Sequence, residues 1–430
     1  MKRNVMEKLL QWKEDPERKP LILRGARQVG KTWLMKEFGR VHFSNCVYFN
    51  FDEETGLQSI FQNNKDPHRI VELLSLLGGE KIIEGKTLLL LDEIQECPEA
   101  LNSLKYFKEK AKGYYVIAAG SLLGTMLAKP QSYPVGMVNL LDIRPLTFDE
   151  YLLETNPNLY SYYISLQKGQ SIEEIFHQKL LEAYDIYLIV GGMPEAVSSW
   201  VQYKDIERVE RIQQELLLLY ESDFAKHHSR IDAGRILLVF RSLASQLAKP
   251  NEKFMYGAVK KGARAREFED AIEWLVSAGM VNRVHNVSKP EHPLPAFDLL
   301  DQFKLYFFDT GLIRKMAGLS NEAILLKTSY QFKGPLTENF VLQQLLDSFP
   351  VTPRYYSNKT GEIDFLLQNG SEIIPLEVKG GEDKSAPSFK RFIAEHRPLH
   401  AFRLSKRNYC MDGEFTNLPV YLAGRLKDFI

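Results

Sequence analysis

Eight residues near the N-terminus leave this chain little freedom: Gly25-Ala26-Arg27-Gln28-Val29-Gly30-Lys31-Thr32. An apolar run at 21–23 precedes them, and a stretch of helical periodicity at 32–38 follows. Gly25 and Gly30 let the backbone adopt positive φ and turn its N–H groups inward, which builds a nest for an anion. The N-terminus of the following helix adds positive partial charge at the same point. The pattern is that of a P-loop in full, in which Lys31 reaches the β- and γ-phosphates of ATP and Thr32 ligates Mg²⁺. A strand must enter such a loop and a helix must leave it. The expected core is therefore α/β, a parallel sheet with helices on both faces.

The remaining apolar runs agree. Residues 47–51, 87–91 and 114–118 read as further buried strands, separated by amphipathic stretches. The run at 87–91 ends in Asp92-Glu93. Ligands of open α/β sheets bind at the carboxyl ends of strands, so Asp92 is placed to hold Mg²⁺ through water and Glu93 to act as general base. The strand at 114–118 leads to Ser121, where a polar side chain would sense the γ-phosphate or serve as an ordinary helix N-cap. Residues 1–150 are expected to form this core, 151–330 a mainly helical unit, and 331–430 an α+β unit.

Within the middle unit, helical patterns at 171–189 and 203–224 are followed by helices near 236–247, 254–259 and 263–278, and then by a strand near 280–284. Three helices followed by a strand pair is the winged helix-turn-helix order. Lys260, Lys261, Arg264 and Arg266 gather at the start of the third helix, where such folds meet DNA. A solvated basic face or a protein contact would leave the same pattern. Gly191-Gly192-Met193-Pro194 reads as a turn between helices. His227 and His228 lack spaced acid or thiol partners and carry no metal expectation.

The last unit holds an alternating strand from Glu362 to Leu367, the hairpin signal Asn369-Gly370, and a return strand to Lys379. With Asn369 and Gly370 as the turn, Gln368 would pair with Ser371, and Asp364 would stand diagonal to Glu377. Glu362, Asp364, Glu377 and Lys379 would share one face. Mg²⁺ or Mn²⁺ would relieve their like charges. Two blander readings stand beside it: a solvated hairpin face with Glu-Lys pairs, and a fold kept for binding only. Lys384, Lys390, Arg391, Arg397, Arg403, Lys406 and Arg407 make the region locally basic, which favours a phosphate backbone nearby.

Two resemblances follow from these residues. The first covers almost the whole chain. It rests on residues 24–32, Leu91-Asp92-Glu93-Ile94-Gln95, Ala119-Gly120-Ser121, Pro134-Val135-Gly136, residues 144–151, Gly191 to Glu195, residues 220–227 and residues 304–311. In these phrases the chain resembles prokaryotic AAA-type ATPases that carry a C-terminal domain of unknown function. Many of those relatives have Gly-Arg where this chain has Gly136-Met137, so the resemblance implies a finger from Arg144 or a neighbouring subunit. The second resemblance is to the PD-(D/E)xK nuclease core, with Glu338 as the helical acid beside Asp364, Glu377 and Lys379, and with Ile363 in place of the usual proline.

Composition adds bounds. Lys+Arg and Asp+Glu are 55 each, so any binding of DNA must be local rather than driven by net charge. Hydrophobic residues at 44% and charged residues at 26% exclude a disordered chain. Three scattered cysteines form no disulfide framework or zinc site and suit a reducing cytoplasm. No apolar run approaches the ~20 residues that span a bilayer, and the first dozen residues lack a signal-peptide pattern, so a membrane partner is not expected. The expected activity is ATP hydrolysis on or near DNA, with a metal-dependent nuclease-like unit. The alternative is a slow nucleotide-dependent switch acting on a protein partner, in monomeric or oligomeric form.

Overall fold

The computed structural model describes residues 1–62, 64–120, 136–226, 232–249, 253–327, 331–359, 361–381 and 386–430. Ser121, Pro134, Val135, His227, His228 and Lys384 lie outside the described residues. The chain divides into two compact units. The first is Lys2–Arg144 with Glu273–Met280; the second joins Pro145–Ile272 to Val281–Ile430 and includes Met1.

The first unit is built on a five-stranded sheet. Its strands are β1 (Leu21–Arg24), β2 (Asn45–Asn50), β3 (Thr87–Asp92), β4 (Tyr115–Ala119) and β5 (Asn139–Asp142), in the order β2-β3-β4-β1-β5. Every pairing is parallel. The strand β3 is buried at all positions, as expected of a leucine run covered on both faces. Ile22, Leu89 and Leu91 pack with Phe49, Phe61, Leu74 and Leu104 to form the core on one side. The α/β core with a parallel sheet is thus present. The sequence did not single out β5, an edge strand whose residues are only partly buried or exposed.

The second unit begins with helices, including Glu174–Val190, Ile206–Lys226 and Ala233–Leu247. Two short phrases lock several of them together. Gly191, at φ +72°, sits so close to Asp309 and Gly311 that a Cβ would stand 2.4 Å from Asp309 Oδ1. Asp309 Oδ2 accepts from Gly192 N at 2.7 Å, and its Oδ1 accepts from Leu312 N at 2.9 Å. Gly192 O in turn accepts from Leu146 N at 2.7 Å. The Gly191-Gly192-Met193-Pro194 turn is therefore a packing joint.

A mixed eight-stranded sheet follows: β6 (Val281–Val287), β7 (Asp298–Phe307), β8 (Arg354–Asn358), β9 (Gly361–Asn369), β10 (Glu372–Val378), β11 (Phe402–Ser405), β12 (Cys410–Asp412) and β13 (Phe415–Pro419). Its order is β12-β13-β11-β10-β9-β8-β6-β7. The helices Ala233–Leu247, Tyr256–Val259 and Ala265–Ser277 precede the antiparallel pair β6–β7, giving three helices and then two strands. That strand pair also extends the sheet, through Asn286 opposite Tyr355, so the sheet takes strands from both sides of residue 330.

The helix Lys333–Leu345 has no solvent face, because every residue from Pro335 to Leu345 is buried. Its polar side chains stay there because each finds a partner. Asn339 accepts from Phe307 N at 2.8 Å, Gln343 from Thr310 N at 3.0 Å, and Gln344 from Phe148 N at 2.7 Å.

The β9–β10 hairpin is in a different register from the expected one. Asn369 pairs with Glu372 and Leu366 with Pro375, so Gly370-Ser371 is the turn. Gly370 has φ +61°, and a glycine at the first turn position supplies that conformation for a two-residue hairpin. The shift is by two residues, so the faces are preserved. Leu376 now stands opposite Phe365, which brings Asp364 alongside Glu377 rather than diagonal to it. A second irregularity lies on the other side of β9. Arg354 pairs with Leu366 but Tyr356 with Ile363, so β9 bulges at Asp364-Phe365.

Candidate functional site

In the first unit, β1 feeds the loop and the helix Lys31–His42 leaves it. Gly25, at φ +143°, passes so close to the residue that follows β5 that a Cβ would stand 2.2 Å from Ile143 O. Gly30, at φ +93°, is the N-cap of that helix. Gln28 is also left-handed, at φ +64°. Gly279 backs the loop from behind: a Cβ there would stand 3.3 Å from Ala26 N. Nothing local in the sequence says what Gly279 touches.

Lys31 is buried, and its Nζ donates to Gly25 O at 2.9 Å and Ala26 O at 2.8 Å. Burial pulls its ammonium down to about 8, against the raising influence of Glu93 and then Asp92. Thr32 Oγ1 donates to Asp92 Oδ2 at 2.7 Å, and Tyr48 donates its hydroxyl to the same oxygen at 3.0 Å. The other oxygen, Asp92 Oδ1, accepts from Glu93 N at 3.0 Å. Glu93 itself has φ +49°, a left-handed conformation that costs a non-glycine residue about 1–3 kcal/mol. Its carboxylate is steadied by Gln95 Nε2 at 2.5 Å.

The structure therefore brings Lys31, Thr32, Asp92 and Glu93 to one end of the sheet. Tyr48 is an addition the sequence did not flag, since one tyrosine on a strand has no telling spacing, and Gln95, within the phrase Leu91 to Gln95, was given no role. The hydroxyl and carboxylate of Thr32 and Asp92 are hard oxygen donors already side by side, a set that fits Mg²⁺. Arg144, considered as a finger, lies 3.8 Å from Asp142, which also pairs with Arg24.

The second unit gathers the other predicted set. Glu338 comes from the buried helix, Asp364 from the β9 bulge, and Glu377 and Lys379 from β10 and the residue just past it. Lys379 Nζ is 2.6 Å from Glu377 Oε1. Asp364 Oδ2 accepts from Val378 N at 2.6 Å. Burial, and then the charges of Glu377 and Glu338, push the Asp364 carboxyl well above the usual carboxylate range. Glu377 moves the same way, through burial and against Lys379. A residue absent from the predicted set joins them: Lys304, on β7, is 2.7 Å from Glu362 and 3.7 Å from Glu338. Among the described residues, no three His, Cys, Asp or Glu side chains stand where they could hold one metal ion. As they stand, these residues do not fit a bound divalent ion.

Basic residues divide in two. Lys260, Lys261, Arg264 and Arg266 are exposed, as are Lys390, Arg391 and Arg397. Arg403 is wholly buried and pairs with Asp412 at 2.7 Å; Lys406 pairs with Asp185 at 2.5 Å, and Arg407 with Asp412 at 3.3 Å. The last three serve internal partners, so the expected basic face is smaller than the sequence suggested.

Residues 17–152 match a family model described as an AAA domain. Two further models, each described as a domain of unknown function, match residues 181–323 (DUF8612) and 333–421 (DUF4143). No curated protein matches the chain. Among solved structures, a Walker-type ATPase of Pyrococcus abyssi is similar at 15% identity, over 73% of this chain and 95% of that one, with TM-score 0.46. The Aeropyrum pernix ORC1 protein, solved in complex with DNA, is similar at 13% identity over 75% and 92%, with TM-score 0.29. The Thermotoga maritima RuvB Holliday junction branch migration motor is similar at 13% over 65% and 89%, with TM-score 0.30. Among the described residues no helix is long and apolar enough to cross a membrane.

Proposed function

Taking the AAA domain at residues 17–152 as the premise, we propose that this chain is a cytoplasmic ATP hydrolase that works on or beside DNA. The observation that carries the proposal is the joining of Thr32 to Asp92 at 2.7 Å, with the backbone N–H of Glu93 on the other oxygen of the same carboxylate. Gly25 to Thr32 would receive the ATP phosphates, with Lys31 moving its hydrogen bonds from loop carbonyls to phosphate oxygens. Thr32 and Asp92 would hold Mg²⁺. The ion, when bound, neutralises charge that builds on phosphate oxygens. Glu93, aimed by its left-handed backbone and by Gln95, accepts a proton from the attacking water. Ser121 remains a candidate for sensing the γ-phosphate.

ATP turnover by the wild type and by Glu93→Gln, with nucleotide affinity measured alongside, tests the assignment. Loss of turnover with affinity retained supports it; equal rates overturn the role of Glu93. For DNA, the exposed Lys260, Lys261, Arg264 and Arg266 on a winged-helix-like element support a backbone contact. DNA affinity that falls steeply with salt, and less steeply after Lys260→Ala and Arg264→Ala, is the expected result. No measurable DNA affinity at low salt would sink that part.

A second reading is favoured by Met137, which stands where many AAA-type relatives have arginine. In that reading the chain hydrolyses ATP slowly and switches a protein partner or its own oligomeric state. For the second unit, the nuclease-like reading is supported by the contact of Lys379 with Glu377 and by the charges of Glu377 and Glu338 acting on Asp364. The ion pairs that occupy them favour binding over cleavage. Mn²⁺-dependent cleavage that vanishes in Asp364→Ala would reverse that preference.

A further inference from the structure

One charged residue lies in the buried half of β7. Lys304 sits between Phe303 and Leu305 and is 0% exposed. An ammonium group is not tolerated there without partners, because the cost of removing it from water is large. Its partners are the carboxylates of the nuclease-like set. The Nζ atom is 2.7 Å from Glu362 Oε1 and 3.7 Å from Glu338 Oε2, and it lies 5.0 Å from the Tyr355 ring centre. Tyr306, two residues on and so on the same face of the strand, donates to the same Glu338 oxygen at 2.8 Å. The β7 strand thus draws two acids toward itself. Across the hairpin, Lys379 holds Glu377 through Oε1.

Four carboxylates, Glu338, Glu362, Asp364 and Glu377, therefore face two lysines. Among the described residues, the buried Glu377 Oε2 has no hydrogen-bond partner. An unsatisfied carboxylate oxygen in an acidic cluster signals a position shaped for a positive charge. Among the described residues these acids nevertheless form no group of three that could hold one metal ion, and Glu338 and Glu362 are engaged by Lys304 instead.

We propose that Lys304 is the resident cation of this site, holding Glu338 and Glu362 away from Asp364 and Glu377 so that a divalent ion enters only where that ammonium is absent or displaced. The proposal rests on the nuclease-like reading for the identity of the acids, and on nothing in the ATPase reading. It makes Lys304 a positioning residue and the second unit a silenced relative of a metal site.

The test is Mn²⁺ binding to the nucleotide-free full-length chain, read from the loss of the free-ion electron paramagnetic resonance signal. Wild type, Lys304→Met, Lys304→Gln and each of them combined with Asp364→Asn are compared. The expected result is no Asp364-dependent site in the wild type. Affinity at least tenfold tighter is expected in Lys304→Met or Lys304→Gln, and Asp364→Asn should abolish the gain. A saturable, Asp364-dependent site in the wild type overturns the proposal without recourse to any Lys304 variant. Folded Lys304 variants that bind no Mn²⁺ overturn it too, and they remove the nuclease-like reading with it. A gain in Mn²⁺ binding that Asp364→Asn leaves unaffected would point to the Thr32–Asp92 pair, and also counts against the proposal.

Discussion

The two lysine-and-carboxylate clusters use the same side-chain chemistry and arrange it in opposite ways. In the first unit Lys31 donates to two neutral backbone carbonyls, Gly25 O and Ala26 O. Those are partners that a phosphate, with its negative charge, outcompetes. In the second unit Lys304 and Lys379 lie directly on carboxylates. There the opposite charge is already supplied from within. A site that must accept a charged ligand keeps its own charges on weak partners; a site that pairs them internally has become part of the scaffold. The contrast is visible only at atomic contacts, since both clusters read as functional in sequence.

Four tests, using six substitutions, probe how each unit uses its charges and its packing. The largest effect is expected at Glu93. Glu93→Gln should lower ATP turnover about 10²–10⁴-fold with nucleotide binding intact, the usual range for removing a general base. Single-turnover kinetics beside equilibrium nucleotide binding would check it. Next, Lys304→Ala should destabilise the second unit by about 3–5 kcal/mol in denaturant unfolding, the range for breaking a buried pair by deleting one partner. Lys379→Ala should cost less, about 1–3 kcal/mol, because Lys379 is itself partly exposed and the buried Glu377 it leaves behind can take up a proton. Equal losses at both positions would show that the partial exposure of Lys379 does not lessen the cost of removing it.

Asp309 supplies the third test. Burial raises its carboxyl from 3.8 to about 6, in spite of the backbone N–H groups it accepts. Because the folded value lies above the unfolded one, its contribution is complete below about pH 3.8 and is lost as the pH rises through 6. The stability of the wild type relative to Asp309→Asn should therefore decline by about 3 kcal/mol between pH 4 and pH 7. A difference that does not vary with pH would show that the acid is ionised throughout. The smallest effect is a steric one. Gly191→Ala, with its Cβ forced against Asp309 and Gly311, should cost about 1–3 kcal/mol. Gly318→Ala, at φ +67° but with open space around it, should cost about 1 kcal/mol.

Much of the first unit was legible because its site is local. Eight consecutive residues make the loop, and an apolar strand delivers Asp92 and Glu93 to the same sheet end. The parallel order needs only the alternation of runs. Tyr48 was not legible: its place beside Asp92 depends on β2 pairing with β3, and one tyrosine on a strand looks like any other. In the second unit the faces of the hairpin were read correctly and the register was not. Asn369-Gly370 offered one turn, and the chain uses the next pair instead. Lys304 carried a weak signal, one cation inside an aromatic run. Its meaning needed Glu362 and Glu338, which lie dozens of residues downstream on other elements.

The helix with no solvent face has a consequence for how the chain is made. Phe148 N waits for Gln344, 196 residues further along, and Thr310 N and Phe307 N wait for Gln343 and Asn339. On the ribosome, the first unit's sheet is translated long before the helix that the second unit closes around. Until residue 345 emerges, the early helices of the second unit carry apolar faces and backbone donors with no native partner. Such distant closure slows folding and lengthens exposure. The second unit is thus the part of the chain most in need of shelter during synthesis, and a premature stop anywhere before that helix would leave it without a centre.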